Sequence, residues 1–342
     1  MKKKLSELRR DIVSGDWVVV ATGRAKRPEQ FIIKQKKRKI GPINKCPFEN
    51  PQETGNAHSL LIYKKGGHEH PTGDEDWFVQ VVSNKYPAFA SSGGTCPQIQ
   101  NEGIYEWMDG VGSHEVVITR DHEKNIGRMT SQDVYFVLRA YLERFLSLKK
   151  EPCSKYISIF HNHGPSAGAS IAHPHSQIIA IPVIPPDVYN SLRGSKKYFH
   201  DNGKCVHCVI IEHEMAEKKR IVYENDRFVV FCPFVSRTAF EMRIFPKHHQ
   251  AYFDEIEEIG LRDLGDALRS AMAKVNIGLK DPDYNFFIHT APVEDGHFDH
   301  YHWHFEILPK SSIWAGFELG TGIEISTISP EDAAKFFRGV KA

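Results

Sequence analysis

The chain has 342 residues, 41% of them hydrophobic and 25% charged, with a formal net charge of +1. That length supports two domains or one large one with a substantial core, and the near-zero charge argues against nucleic acid or an acidic membrane surface as partner. The start, Met1 to Arg10, lacks the apolar stretch of a signal peptide, and no run approaches the roughly 18 apolar residues that would span a bilayer.

From the N-terminus, basic clusters at Lys2–Lys4 and Lys34–Arg38 are short and read as solvated loops. Around Asp76 a run rich in Val and Phe predicts a strand, and a second follows from His114 to His122. Between them, residues 85–112 are rich in Gly, Ser and Pro and contain Cys96. A helix is predicted after Thr130 or Ser131, with Val134, Val137, Leu138, Tyr141, Leu142 and Phe145 on one face. A strand over 156–160, a loop of small residues and a His-x-His strand over 173–180 follow. Residues 186–204 read as a linker.

The same order then returns. A β-type run around Asp226 is followed by Phe240–His249 and by a helical pattern after Asp254 (Ile256, Ile259, Leu264, Leu268, Val275). A strand over 284–288 and a second His-x-His strand over 302–308 complete it. From His122 to His173 is about 51 residues and from His249 to His302 about 53, which points to duplication of one unit. The expected fold is α+β: antiparallel sheets with helices packed on one face, units at 1–185 and 205–342, and the linker between them.

His173, His175 and Gln177 alternate, so on one strand they share a face. Three polar groups on such a face are costly unless they bind something. The loop before them, Asn162 to Ser170, offers backbone amides and hydroxyls for phosphate oxygens. An imidazole facing a phosphate cradle suits attack on phosphorus. In the second His-x-His strand, His302–Glu306, the preceding loop is acidic and aromatic, and Glu306 would repel phosphates. One catalytic and one supporting half are expected.

The six cysteines do not make a disulfide framework in a chain this long, and a reducing cytoplasm is the natural compartment. Cys205-Val-His-Cys208, with His249 and His302, supplies two thiolates and two imidazoles, a donor set suited to structural zinc. His248 is an alternative to His249, and a redox pair is the rival reading of the two cysteines. Cys46, His122 and His173 form a matching set in which Glu49 takes the place of the second thiol, so this site is either zinc-bound through Glu49 or empty.

These motifs resemble the histidine-triad superfamily, and Gln177 in the third position is similar to its galactose-1-phosphate uridylyltransferase branch. The resemblance covers nearly the whole chain. It implies a ping-pong nucleotidyltransferase in which His175 is the covalent nucleophile and Gln177 bonds the transferred phosphoryl group. A nucleotide-sugar is the donor; a hexose 1-phosphate, or phosphate itself, is the acceptor. It further implies that Arg24 and Arg27 contact the phosphates or the donor's sugar, although both are equally explained as surface charges. Asn84 would contact the nucleoside, Asn162, Gly168 and Ser170 the phosphate, and Glu318 the hexose. The family's further metal, bound by the equivalents of His289, His302 and His304 with a Glu, finds no such Glu downstream of the active strand, Asp187 being the nearest acid. A homodimer is implied by resemblance alone. Breadth of match favours UDP-glucose–hexose-1-phosphate uridylyl transfer. The tail 316–324, Tyr301–His304 and the second Cys-x-x-Cys resemble ADP-glucose phosphorylases, whose acceptor is phosphate. A histidine-triad hydrolase and a silent nucleotide-binding module are the rivals from other classes.

Overall fold

The computed structural model describes residues 5–21, 41–56, 58–64, 77–91, 93–293, 296–311 and 314–342. Arg24 and Arg27 lie outside them. The first half contributes strands β1 (Glu7–Arg10), β2 (Trp17–Val20), β3 (Leu61–Lys64), β4 (Trp77–Ser83), β5 (Gln100–Glu102), β6 (Tyr105–Trp107) and β7 (Ser113–Thr119). Helix α1 (Ser131–Leu148) and strands β8 (Tyr156–His163) and β9 (His175–Ile181) follow. Helices α2 (Pro186–Asn202) and α3 (Val206–Glu217) lead into β10 (Ile221–Glu224), β11 (Phe228–Phe231), β12 (Met242–Pro246) and helix α4 (Glu258–Gly278). The chain closes with β13 (Tyr284–His289), β14 (His304–Pro309), α5 (Gly316–Thr321), β15 (Ile325–Ser326) and α6 (Pro330–Gly339).

One ten-stranded sheet runs β10-β11-β12-β14-β13-β8-β9-β7-β4-β3, and each of its pairings is antiparallel. At its middle β8 lies against β13, with Asn162 opposite Asn285. Outward from that seam the order is β9, β7, β4, β3 on one side and β14, β12, β11, β10 on the other.

Helix α1 begins at a capping box: Asp133 N–H donates to Thr130 Oγ1 at 3.1 Å and Thr130 N–H to Asp133 Oδ2 at 3.1 Å. Its apolar stripe, from Val134 to Phe145, enters the main core together with Leu261, Leu264, Leu268 and Val275 of α4. Both helices cover the same face of the sheet. The helical pattern after Asp254 starts later than the sequence suggests. A 3-10 turn occupies Phe253–Glu255, α4 opens at Glu258, and Ile259 consequently faces solvent.

One expectation needs correction. Helices do not occupy one face alone: Ile211 of α3 packs on Val229, Phe231 and Phe245, while Phe228, Val230 and Ile244 face the main core. Because alternate residues of a strand face opposite ways, α3 covers the other side. The segment read as a linker is mostly helix α2, with Val188 and Leu192 buried one turn apart. The first residues, grouped with the first unit, pack on the second. There β2 pairs with β15, and Arg9 bonds Glu331 and the carbonyl of Phe234, each at 3.1 Å. In the Gly/Ser-rich insertion, β5 and β6 form an exposed hairpin, and Cys96 forms a disulfide with Cys153, a pairing the sequence did not suggest. Among the described residues no helix is long and apolar enough to cross a membrane.

Candidate active site

The alternation reading of His173, His175 and Gln177 is modified at its first member. Strand β9 starts at His175, because Pro174 has no N–H to give a ladder. His173 therefore sits on the entry to the strand, and its carbonyl accepts the Nδ1–H of His175 at 2.8 Å. That bond fixes the tautomer: with the proton on Nδ1, the Nε2 lone pair is left for a ligand. Burial pushes the His175 imidazole below its ordinary pKa, against the opposing effect of the His173 carbonyl. A neutral, single-tautomer imidazole is the form that can act as a nucleophile. Phe48 braces the ring edge-on, with centroids 5.0 Å apart.

Gln177 lies one pleat further along. Its Oε1 is 2.8 Å from Nε2 of His114 on β7, and Asn84 Nδ2 is 3.0 Å from the same nitrogen. Asn84 Oδ1 accepts from Tyr86 N–H at 2.9 Å, and His114 Nδ1 accepts from Ala88 N–H at 3.1 Å. Asn84 and Gln177, 93 positions apart, thus meet through His114, which the sequence did not single out. Its signal was there: His114 alternates with Val116, and Val116 is the register partner of Gln177.

The small-residue loop is more self-occupied than its composition suggests. Ala167 and Ala169 N–H donate to Gly164 O, Gly168 N–H to Pro165 O, and Ser166 N–H to Asp283 Oδ2 at 2.7 Å. Four amides expected to cradle phosphate are spent inside the loop or on Asp283. Asn162 Oδ1 accepts from Asn285 of β13 at 2.7 Å, so its position is set from across the seam. Ser170 is exposed just beyond the loop. Glu318 is not drawn into this group: its Oε2 accepts from Ala315 N–H at 3.1 Å at the start of α5.

Behind the strand, Ser176 Oγ meets Tyr141 Oη at 2.5 Å and His161 Nδ1 at 2.9 Å, all three buried. Sequence reading missed this clamp because its members come from three elements.

Two clusters of metal-ligand type flank the His-x-His motifs. Cys46, Glu49, His122 and His173 converge. His122 Nδ1 is 2.8 Å from Glu49 Oε1 and 3.2 Å from His173 Nδ1, and Cys46 Sγ is 3.5 Å from His173 Nδ1. The far nitrogens face carbonyls: His173 Nε2 lies 2.6 Å from Thr119 O and His122 Nε2 3.1 Å from Gly41 O. Carbonyls take protons, so two unprotonated nitrogens, a sulfur and a carboxylate oxygen point at one another. That donor set fits a cation at its centre. Cys205, Cys208, His249 and His302 repeat the pattern, with Cys208 Sγ 3.4 Å from His249 Nδ1 and 3.5 Å from His302 Nδ1. Here His302 Nε2 faces Pro246 O at 3.0 Å. Hydrogen bonds from Cys208, then from His249 and His302, push the Cys205 thiol far below its ordinary pKa. His249, not His248, is the residue brought in.

A third group gathers His289 and His304 with an acid of the second His-x-His strand itself, not one downstream of β9. Glu306, on the same strand as His304, places Oε2 3.2 Å from His289 Nε2. Burial alone would raise its carboxyl, but Arg243 and His289 hold it down at about 2.

By sequence the chain is 35% identical to an ADP-glucose phosphorylase from Arabidopsis thaliana, over 98% of this chain and 93% of that one. It is 27% identical to a galactose-1-phosphate uridylyltransferase from Thermotoga maritima, over 98% of both. In three dimensions it resembles the Arabidopsis thaliana ADP-glucose phosphorylase solved with bound ADP-glucose, at 32% identity and a TM-score of 0.80, covering 99% of each chain. Residues 72–336 match a family described as a domain of unknown function (DUF4921). The mixed α/β architecture with its large antiparallel sheet is that of these proteins. This chain belongs to the enzyme family of galactose-1-phosphate uridylyltransferase and ADP-glucose phosphorylase, whose members transfer nucleotidyl groups.

Proposed function

We propose that the protein moves a nucleoside monophosphate from a nucleotide-sugar to a phosphate-bearing acceptor through a covalent nucleotidyl-His175. The observation that carries this is the Nδ1–H bond of His175 to the His173 carbonyl, which reserves Nε2 for phosphorus. The Nε2 lone pair forms the N–P bond as the bond from α-phosphorus to the leaving phosphate oxygen breaks. That oxygen departs with the electron pair as a sugar 1-phosphate. In the second half-reaction a phosphate oxygen of the acceptor attacks the same phosphorus, and Nε2 regains its lone pair. Gln177 donates to the transferred group, while Asn162, Gly168 and Ser170 line its path. Arg24 and Arg27 contact phosphates, Asn84 the nucleoside and Glu318 the hexose.

Within this chemistry adenylyl transfer from ADP-glucose to phosphate leads, supported by 35% identity to a phosphorylase and by the Cys205-x-x-Cys208 pair of the second half. Uridylyl transfer to a hexose 1-phosphate is the second reading, favoured by end-to-end similarity to a uridylyltransferase. Incubation with each nucleotide-sugar followed by mass spectrometry decides: the adduct mass names the nucleotide. A His175→Ala protein that still forms an adduct would remove His175 from the mechanism. Rapid loss of adduct to water would mean a hydrolase, and no adduct a binding module.

The chain is read as two tandem histidine-triad-like repeats, 1–185 and 205–342, supported by the matching strand orders either side of the β8–β13 seam. Zinc is the metal that suits both cysteine-containing sets. When bound it would supply folding free energy by joining a loop, a strand end and the His-x-His entry. A cytoplasmic homodimer acting on nucleotide-sugars, with neither nucleic acid nor membrane as partner, completes the proposal.

A further inference from the structure

We propose that His114 is a positioning residue that sets the orientation of the Gln177 side-chain amide, so that its N–H bonds and not its carbonyl face the transferred phosphoryl group. The inference rests on the nucleotidyl-His175 reading for its consequence, but on hydrogen-bond logic for its geometry.

A glutamine amide is symmetric in shape and opposite in polarity at its two ends, so something beside it must choose the end presented to a ligand. The choice starts at the backbone. Ala88 N–H can only donate, and it points at His114 Nδ1 from 3.1 Å. Nδ1 is therefore the ring's acceptor, and the single proton of the neutral imidazole resides on Nε2. Desolvation lowers the His114 pKa, which favours that neutral ring, against the opposing pull of Gln177. From Nε2 the proton goes to Gln177 Oε1, 2.8 Å away. Asn84 Nδ2 stands 3.0 Å from the same nitrogen; an amide N–H facing a protonated ring nitrogen makes no hydrogen bond with it, so the ring proton goes to Gln177 and Asn84 does not share in it. With Oε1 held on the His114 side, Gln177 Nε2 is left as a donor that no described residue occupies. Donors fixed in advance towards an anionic phosphoryl group stabilise charge as it builds. A reversed amide would present a carbonyl dipole to the same oxygens.

The second half supplies an internal contrast. Arg243 is the register partner of Glu306 as Val116 is of Gln177, so Glu241 stands where His114 stands. There the acids are bridged by a cation: Glu241 Oε1 accepts from Arg243 Nε at 3.1 Å, and Arg243 lies 3.8 Å from Glu306. A carboxylate at this position is thus compatible with the fold, yet it can only accept. Placed at 114 it would turn the Gln177 amide round.

The test compares His114→Gln, His114→Ala and His114→Glu in single-turnover formation of the nucleotidyl adduct from ADP-glucose and from UDP-glucose. Glutamine can put an N–H where Nε2 lies, and its rate should stay within about tenfold of the natural protein. Alanine should lose more. Glutamate, although bulkier than alanine, should be the slowest, by on the order of the 100- to 1,000-fold seen when one such donor is lost. A space-filling role would rank the variants by size, with glutamine and glutamate equal and both above alanine, and that ranking overturns the proposal. Nitrogen-15 NMR of histidine-labelled protein reads the tautomer independently of turnover. A pyridine-type Nδ1 and a pyrrole-type Nε2 at His114 are expected, and the reverse overturns the proposal. Absence of any adduct on the natural protein would instead sink the nucleotidyl-His175 reading, with the tautomer still deciding the orientation.

Discussion

Gly164 opens the loop between β8 and β9 with φ of 86° and ψ of 161°, a region essentially closed to residues with a side chain. A Cβ there would lie 1.9 Å from Asp283 Oδ1 and 2.2 Å from its Cγ. Gly164→Ala therefore carries two penalties. Backbone strain costs about 1–3 kcal/mol, and moving Asp283 sacrifices the Ser166 N–H···Oδ2 bond, a charge-assisted contact worth about 1.5–3 kcal/mol. Together they amount to roughly 2.5–6 kcal/mol. Gly168 is the control, four residues on. Its φ of 87° and ψ of 11° are left-handed, and its Cβ would meet nothing nearer than Asn162 Nδ2 at 4.0 Å. Gly168→Ala should cost only about 1–2 kcal/mol, and Gly168→Asn less, since asparagine tolerates that region. Urea unfolding of metal-loaded protein, with unchanged slope, measures the differences. A Gly164→Ala protein no less stable than Gly168→Ala would refute the argument that Asp283 anchors the loop.

Metal analysis should find two zinc ions per chain. Glu49→Ala and Cys208→Ser should each leave one, and Glu49→Cys should slow release to a chelator because thiolate holds zinc more firmly; two ions retained in Glu49→Ala would exclude Glu49 as a ligand. Ser176→Ala removes the shared partner of Tyr141 and His161. It should lower stability by about 2–4 kcal/mol while adduct formation changes little, because Ser176 faces away from His175. For His114 the linkage sign is definite: its folded pKa is depressed, so its contribution is full above its ordinary pKa and fades as pH falls. The stability advantage of the natural protein over His114→Gln should therefore shrink between pH 7.5 and 5, as read from urea midpoints.

What could be read from the sequence was what lies close together along it. The pattern Val134 to Phe145 is local, and α1 follows it; the Cys-x-x-Cys and His-x-His spacings likewise placed both ligand sets before any fold was known. Contacts across strands were not legible. His114 and Tyr141 matter because of what β7 and α1 bring to β9, and nothing beside them in the chain announces it. Glu306 was read as a carboxylate hostile to phosphate, whereas Arg243 and His289 occupy it. The amides of 166–169 looked free because composition does not reveal turns that consume their own donors. Residues 186–204 read as a linker, although two buried apolar side chains, Val188 and Leu192, suffice to seat α2.

The seam between β8 and β13 has a consequence for how the two halves can change. Strand pairing is written in backbone bonds, which ignore side-chain identity, so the second half can drift in chemistry without losing its grip on the first. What it cannot do is leave. A gene encoding only the first 185 residues would give a product with β8 as a bare sheet edge, a site for self-association, and with Asn162 deprived of Asn285. The half without His175 is thus retained as a neighbour, free in its own pocket and bound at its border.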